Sequence, residues 1–552
     1  MVLEERQMIT RDLIVIIAII ITILLGAALR IKKVPNAKWK FIYVIPIIFC
    51  IIHFAVSNRN IFMYPVYFAA VLELVLLLLC KKKVIAVILS VLSIAFAVSL
   101  PILTLLTKAN CYASLGYADA FTAFHNDMKE HYALQDWKET DFDAKYAEYI
   151  GLFEEAEKSH DKTAYVSAML SYLASYQDGH VQLGDMYEVF GLGSTRNIQN
   201  IYAQIYKNYY GMTLLQLDSG EYVAANVEKG SCAETAGIKN GMVVTKWNGL
   251  GIKEQLSKME HLIPVNCSRF ADTENMERFK PFLLSCMGDE KLELEFLDEQ
   301  GNAKEVTLTS MGNGYKYLYQ TIGLFLQKEA LEEDELSYCT LENDIGYLQI
   351  NGMGNDFEAI RSQIDDYIDR MKEEQISSLI IDVRNNSGGE DEAGVILAEQ
   401  FSSEDMFYLK ETTYDVTSGK YIERRTLKMN AKAAIDIPIY LLVNSNCISA
   451  GEGFVYNMAK LDNVTIVGIQ GTNGSFGTVD GIVVMPEGML GAYPSIACLD
   501  ENGEIMIDSK YHGIGGIKPE MVIPVNQEAA SAIFSKDYDY ELEYLCSKIV
   551  GK

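Results

Sequence analysis

Ser449 is the residue around which any chemistry in this chain is organised. It stands in residues 437–456, IPIYLLVNSNCISAGEGFVY, where a short apolar run gives way at Asn444-Ser445-Asn446 to helical spacing that puts Phe454, Val455, Met458 and Ala459 on one side. A strand that turns sharply into a helix holds the hydroxyl at its turn in a fixed place. The first N–H groups of that helix point at the same spot, where an oxyanion would form from a substrate carbonyl. Ala450 and Gly451 leave room for the carbonyl to approach. The structural alternative is a serine that merely caps its helix, as serines at such turns commonly do. Cys447 is the rival nucleophile, but it falls in the turn rather than at the helix start. Far upstream, Gln177-Asp178-Gly179-His180-Val181 offers His180, whose side chain has the unperturbed pKa suited to proton transfer near neutral pH. His180 is the candidate general base, with a structural turn histidine as the alternative.

The elements that must position these groups are strands alternating with helices. From Asn343 the chain reads strand 345–350, helix 357–374, strand 377–383, helix 391–402, strand 437–443, helix 449–460 and strand 464–468. The strands are short and almost continuously apolar, as buried parallel strands are, and the alternation implies parallel crossovers. Active sites of open α/β sheets lie at the carboxyl ends of the strands. Ser449 falls there, and so does the glycine pair Gly388-Gly389 that closes Leu379–Gly389, LIIDVRNNSGG.

Three ordered stretches, DVRNNSGG at 382–389, Ser449-Ala450-Gly451-Glu452 and the Asp178-Gly179-His180 turn, resemble the tail-specific (C-terminal processing) serine peptidases and their tricorn-core relatives. The resemblance spans roughly residues 115–525. It implies an α/β peptidase domain of the ClpP/crotonase type over 313–535, with Ser449 as nucleophile and His180 as base. It also implies backbone oxyanion donors at Gly388 and Ala450, with Gly389 the adjacent candidate, a peptide or protein substrate and no cofactor. Two features depart from the family. The stretch 471–478, GTNGSFGT, has Thr478 where the bacterial branch carries a lysine, and a hydroxyl cannot replace an amine as base. No glutamate lies at the expected place around 508–513 to complete the tricorn-like relay, so Asp178 and Asp508 both stay open as orienting acids. The rival class is a catalytically inactive, PDZ-bearing binding module or receptor.

Upstream of the peptidase domain, residues 205–312 resemble a PDZ domain through Gly230–Val243, GSCAETAGIKNGMV. That resemblance implies a loop at Gly211, Met212 and Thr213 whose N–H groups hold a peptide's terminal carboxylate, the peptide adding as a strand. Residues 111–200 have helical periodicity and predict a small helical cap that ends in the Asp-Gly-His turn, and 536–552 remain as a C-terminal tail.

The first 110 residues differ in kind. They hold 12 Lys and Arg against 4 Asp and Glu, leaving 35 against 70 for residues 111–552. Four apolar runs, at about 12–30, 41–57, 61–80 and 84–107, each approach the ~20 residues that cross a bilayer. They predict a four-helix transmembrane anchor, with Glu73 inside the third span. The basic loops, one with Arg30, Lys32, Lys33, Lys38 and Lys40 and one of Lys81–Lys83, orient it so that the peptidase domain is extracytoplasmic at a cell membrane. The acidity of the remainder argues against a nucleic-acid partner. The ten cysteines are scattered without a CxxC pair, so no metal site is expected, and pairing of Cys267 with Cys286 stays open. Oligomeric state is not legible in the sequence.

Overall fold

The computed structural model describes residues 110–185, 196–259, 273–327, 334–432, 435–508 and 515–551. They divide into two units. The smaller consists of 110–114, 185 and 482–488, where Asn110–Cys111 pairs in parallel with Val483–Val484. The larger holds the remaining described residues.

The centre of the larger unit is a six-stranded sheet whose strand order follows the chain. Its strands are β1 (Leu336–Leu341), β2 (Ile345–Ile350), β3 (Ser378–Asp382), β4 (Ile439–Leu442), β5 (Val464–Gly468) and β6 (Met521–Val522). All neighbours are parallel except the β1–β2 edge pair. The continuous apolar runs arise because β3 is buried along its whole length and β4 nearly so. Crossovers are α1 (Phe357–Glu373), α2 (Asp391–Ala398) and α3 (Ala450–Met458), and the chain closes with α4 (Tyr540–Ile549). α1 shows how composition sets an element. Asp356 caps it by accepting from Ala359 N–H at 3.1 Å, and Ile360, Ile364, Ile368 and Met371 form the buried stripe.

Since β3 and β4 are adjacent and parallel, the turns leaving their carboxyl ends, 383–389 and 443–449, lie side by side. Two antiparallel pieces interrupt the alternation: the hairpin Met406–Asp415 with Lys420–Met429, and Met489–Leu499, which pairs with the first of these strands.

The helical cap is three helices, Tyr117–His131, Phe142–Ser159 and Lys162–Ala174, packed on buried aromatic rings including Phe121, Phe153 and Tyr172. Residues 213–309 hold the pair Thr213–Gln216 with Tyr222–Ala225 and a four-stranded antiparallel sheet, with helix Thr273–Leu284 against Thr213–Gln216.

The expected four-helix transmembrane anchor is corrected by this architecture. Among the described residues no helix is long and apolar enough to cross a membrane. The longest, Phe142–Ser159, has charged residues throughout its length, which would be stranded in hydrocarbon. The four apolar runs themselves, with Glu73, lie in 1–109, outside the described residues.

Candidate active site

The turn after β4 delivers Ser449 in an unusual backbone state, φ 61° and ψ −131°. A non-glycine residue in such sparsely populated territory costs on the order of 1–3 kcal/mol and persists only where its surroundings enforce it. Here they do. Ser449 N–H donates to Ser475 O at 3.0 Å, Ile448 N–H to Asn386 O at 3.0 Å, and Ser449 O accepts from Glu452 N–H at 2.8 Å. The hydroxyl makes no cap bond to α3 and stays half-buried, so the capping alternative does not describe it. Cys447 is fully buried in the sheet's core, and burial pushes its thiol well above the ordinary range, leaving it protonated and enclosed.

The neighbouring turn interlocks with this one through asparagines. Asn385 N–H donates to Asn444 Oδ1 at 3.0 Å, and Asn446 Nδ2 to Asn385 Oδ1 at 3.1 Å. Gly388, at φ 84°, lies so close to the serine that a Cβ added there would meet Ser449 Cβ at 2.6 Å, Ile448 O at 2.9 Å and Ala450 N at 3.1 Å. Its own N–H, expected as an oxyanion donor, is engaged by Asn386 Oδ1 at 2.9 Å. Among the described residues the N–H groups of Gly389 and Ala450 have no acceptor. Gly388→Ala is therefore expected to fail twice. Left-handed backbone costs a residue with a Cβ about 1–2 kcal/mol, and the methyl must displace the serine. Turnover should fall by on the order of 10²-fold or more, measured as kcat for peptide hydrolysis, while Gly503→Ala, at φ 85° with open space around it, should cost stability alone.

A third turn arrives from β5. In residues 471–478 Gly474 and Ser475 N–H groups donate to the two oxygens of Glu452 at 2.7 and 2.8 Å. Burial raises the Glu452 carboxyl to about 8 against the pull of those donors. Ser475 then serves two partners: its carbonyl takes Ser449 N–H, and its hydroxyl takes Gly179 N–H at 2.7 Å. So the Asp-Gly-His turn of the cap meets the Ser449 turn at Ser475. A Cβ added at Gly179 would fall 2.9 Å from Ile448 Cδ1 and 2.7 Å from Asn473 Oδ1.

His180 itself is buried, and among the described residues its Nδ1 has no hydrogen-bond partner. Its ring makes no hydrogen bond to the Ser449 hydroxyl. Burial lowers its pKa from 6.5, while the charge of Asp178 pulls it back up. The ring is thus neutral at neutral pH, as a base must be. Asp178 accepts from His180 backbone N–H at 2.8 Å and from the Tyr132 hydroxyl at 2.8 Å, which pins the turn rather than the ring. Asp508 is buried, with Lys138 Nζ 2.6 Å from its Oδ1 in a buried ion pair. Burial pushes the Asp508 carboxyl upward against Lys138. Lys138 also donates to Gln177 O at 3.1 Å, so this cap lysine ties the histidine turn to Asp508.

Sequence reasoning missed Lys138, Tyr132 and the linking role of Ser475. Ser475 lay in a stretch already singled out, whereas nothing in the local pattern marks Tyr132 or Lys138. Gly211, Met212 and Thr213 belong to the separate β region. Gly211 O accepts from Glu228 N–H at 2.8 Å, Met212 and Thr213 are buried, and Leu214 N–H, on the strand edge a peptide would join, already donates to Ser285 Oγ at 2.8 Å. Cys286 is buried and Cys267 lies outside the described residues. Among the described residues no cluster could hold a metal ion.

Residues 344–523 match peptidase family S41. The chain is 24% identical over 311 residues, 56% of its length, to a probable CtpA-like serine protease of Staphylococcus aureus (strain N315). It spans about half, 51%, of that relative's length. Among solved structures it is similar to mature CPAF, with TM-score 0.51 and 13% identity over 78% of this chain and 96% of that one. It is similar also to mature CPAF complexed with lactacystin, with TM-score 0.50 and 12% identity over 79% and 99%. At such identity these two likenesses concern the fold alone. The domain at 344–523 is a serine-type peptidase domain of family S41.

Proposed function

We propose that the S41 domain makes this chain a serine endopeptidase that cleaves peptide bonds in proteins or peptides, with Ser449 as nucleophile and His180 as general base. One observation carries the reading: Ser449 is held in enforced left-handed backbone at the head of α3, its hydroxyl half-buried and uncommitted to the cap. In the reaction the imidazole of His180 takes the hydroxyl proton as Oγ attacks the carbonyl, and the oxyanion gathers at the N–H groups of Ala450 and Gly389. The protonated imidazole returns its proton to the leaving amine, and a water molecule then hydrolyses the acyl-enzyme. The missing hydrogen bond between ring and hydroxyl is compatible with this scheme, since catalytic contacts commonly tighten only with substrate bound.

The Glu452–Ser475 linkage supports the scheme, because it ties the backbone around the nucleophile to the backbone that carries the histidine. A fluorophosphonate probe tests it. The probe should label the protein at Ser449, and labelling should vanish in Ser449→Ala. A probe that leaves Ser449 unlabelled at neutral pH, with the protein folded, returns the serine to a structural role and favours the binding-module alternative.

A further inference from the structure

Arg384 lies two residues beyond the end of β3, in the turn that carries Gly388 and Gly389, and its guanidinium is buried. All five of its N–H donors are used, and all on carboxylates. Nε donates to Asp382 Oδ1 at 3.0 Å, and the two terminal nitrogens reach Asp382 Oδ2 at 2.6 Å, Asp539 at 2.9 and 2.6 Å, and Glu541 Oε2 at 3.0 Å. Asp382 is further fixed by the Tyr347 hydroxyl at 2.7 Å. Two of the three carboxylates thus come from the start of α4, beyond the 344–523 stretch that matches the peptidase family.

Glu541 has a second bond. Its Oε1 accepts from Ile469 N–H at 3.1 Å, at the end of β5 and just ahead of the 471–478 turn that binds Ser449 N–H. One side chain of the last helix therefore spans the bases of both turns that flank the nucleophile. Asp539 adds a planar bidentate pairing that fixes the orientation of the guanidinium, and it also caps α4 by accepting from Leu542 N–H at 3.1 Å.

We propose that Asp539 and Glu541 are positioning residues for catalysis: through Arg384 and Ile469 they set the 383–389 and 471–478 turns against Ser449, so the C-terminal helix is a working part of the peptidase site. The inference rests on the reading of Ser449 and its oxyanion donors given above. A small displacement of those donors weakens stabilisation of the oxyanion more than it weakens substrate binding.

The test uses full-length Asp539→Asn and Glu541→Gln, with Glu543→Gln, an exposed position on the same helix, as the control. Asparagine keeps the helix cap while losing the charge that pairs with Arg384. Glutamine is nearly isosteric and keeps an acceptor for Ile469 N–H. Removing one acid from a buried cage also lowers stability. Rates are therefore normalised to active sites titrated to completion with fluorophosphonate, and kcat and KM for a peptide substrate are separated. The expected result is a fall in kcat on the order of tenfold or more in both variants, with KM within about twofold and the control at wild-type values. A kcat per active site within twofold of wild type overturns the proposal and leaves the cage purely structural, as does a change confined to KM. If Asp539→Asn does not fold, Glu541→Gln decides alone. Wild-type protein that neither cleaves nor labels at Ser449 would instead defeat the underlying functional reading, and the two failures are told apart by that arm.

Discussion

Ser449→Ala is expected to abolish peptide hydrolysis while the fold keeps close to its full stability. The expected loss in kcat is on the order of 10⁴-fold or more, the range seen when the nucleophile of a serine peptidase is removed and only binding and oxyanion contacts remain. Stability is spared because the hydroxyl makes no hydrogen bond among the described residues, so its removal leaves no buried donor or acceptor orphaned. The backbone bonds that hold the turn, from Ser449 N–H to Ser475 O and from Ile448 N–H to Asn386 O, are untouched. Cys447→Ala gives the opposite pattern. Its thiol is buried and held protonated, so activity per folded molecule should stay near wild type while stability falls by roughly 1 kcal/mol for the core volume lost. Steady-state kinetics beside denaturant unfolding of the two variants is the measurement, and an inactive Cys447→Ala with an active Ser449→Ala would reverse the assignment.

His180→Ala should lower kcat by about 10²-fold or more, the usual cost of a positioned general base. The pH dependence supplies a signature that a structural role would not. The base acts as the neutral ring, so the rate must rise as pH increases through the His180 pKa and level off above it. Burial lowers that pKa below 6.5 more than Asp178 restores it, so the limb should lie on the acidic side of 6.5 and the plateau should already be reached at neutral pH. In His180→Ala the limb should disappear along with the rate. A lysine acting as base at this site would place the limb higher, and Lys138, buried beside Asp508 and donating to Gln177 O, is a cation tied to the histidine turn. A limb well above 7 that survives in His180→Ala but is lost in Lys138→Met would move the base to the cap lysine.

The sequence by itself determined the parallel sheet and the serine's place on it. Short, largely apolar runs at 345–350, 378–382, 439–442 and 464–468 are legible because each strand is almost wholly buried, and burial leaves a local mark on composition. The turn at Ser449 and the glycine pair at 388–389 are legible for the same reason, since polarity breaks sharply where a buried strand reaches the sheet's edge. The hairpin at 406–429 carried a weaker signal, alternating residues around Ser418-Gly419, and escaped notice.

Only the tertiary structure decided which polar groups meet. Gly179 and Ser475 are 296 residues apart, and Arg384 and Glu541 are 157 apart; no period or spacing encodes such pairs. The same holds for two details of the site. Asn386 taking the Gly388 N–H follows from the curl of one turn, and the exclusion of Cys447 follows from the core closing over it. Hydrophobic periodicity reports whether a residue is buried. Which donor answers which acceptor once it is buried depends on loops from distant strands arriving at one place, and that is settled by packing.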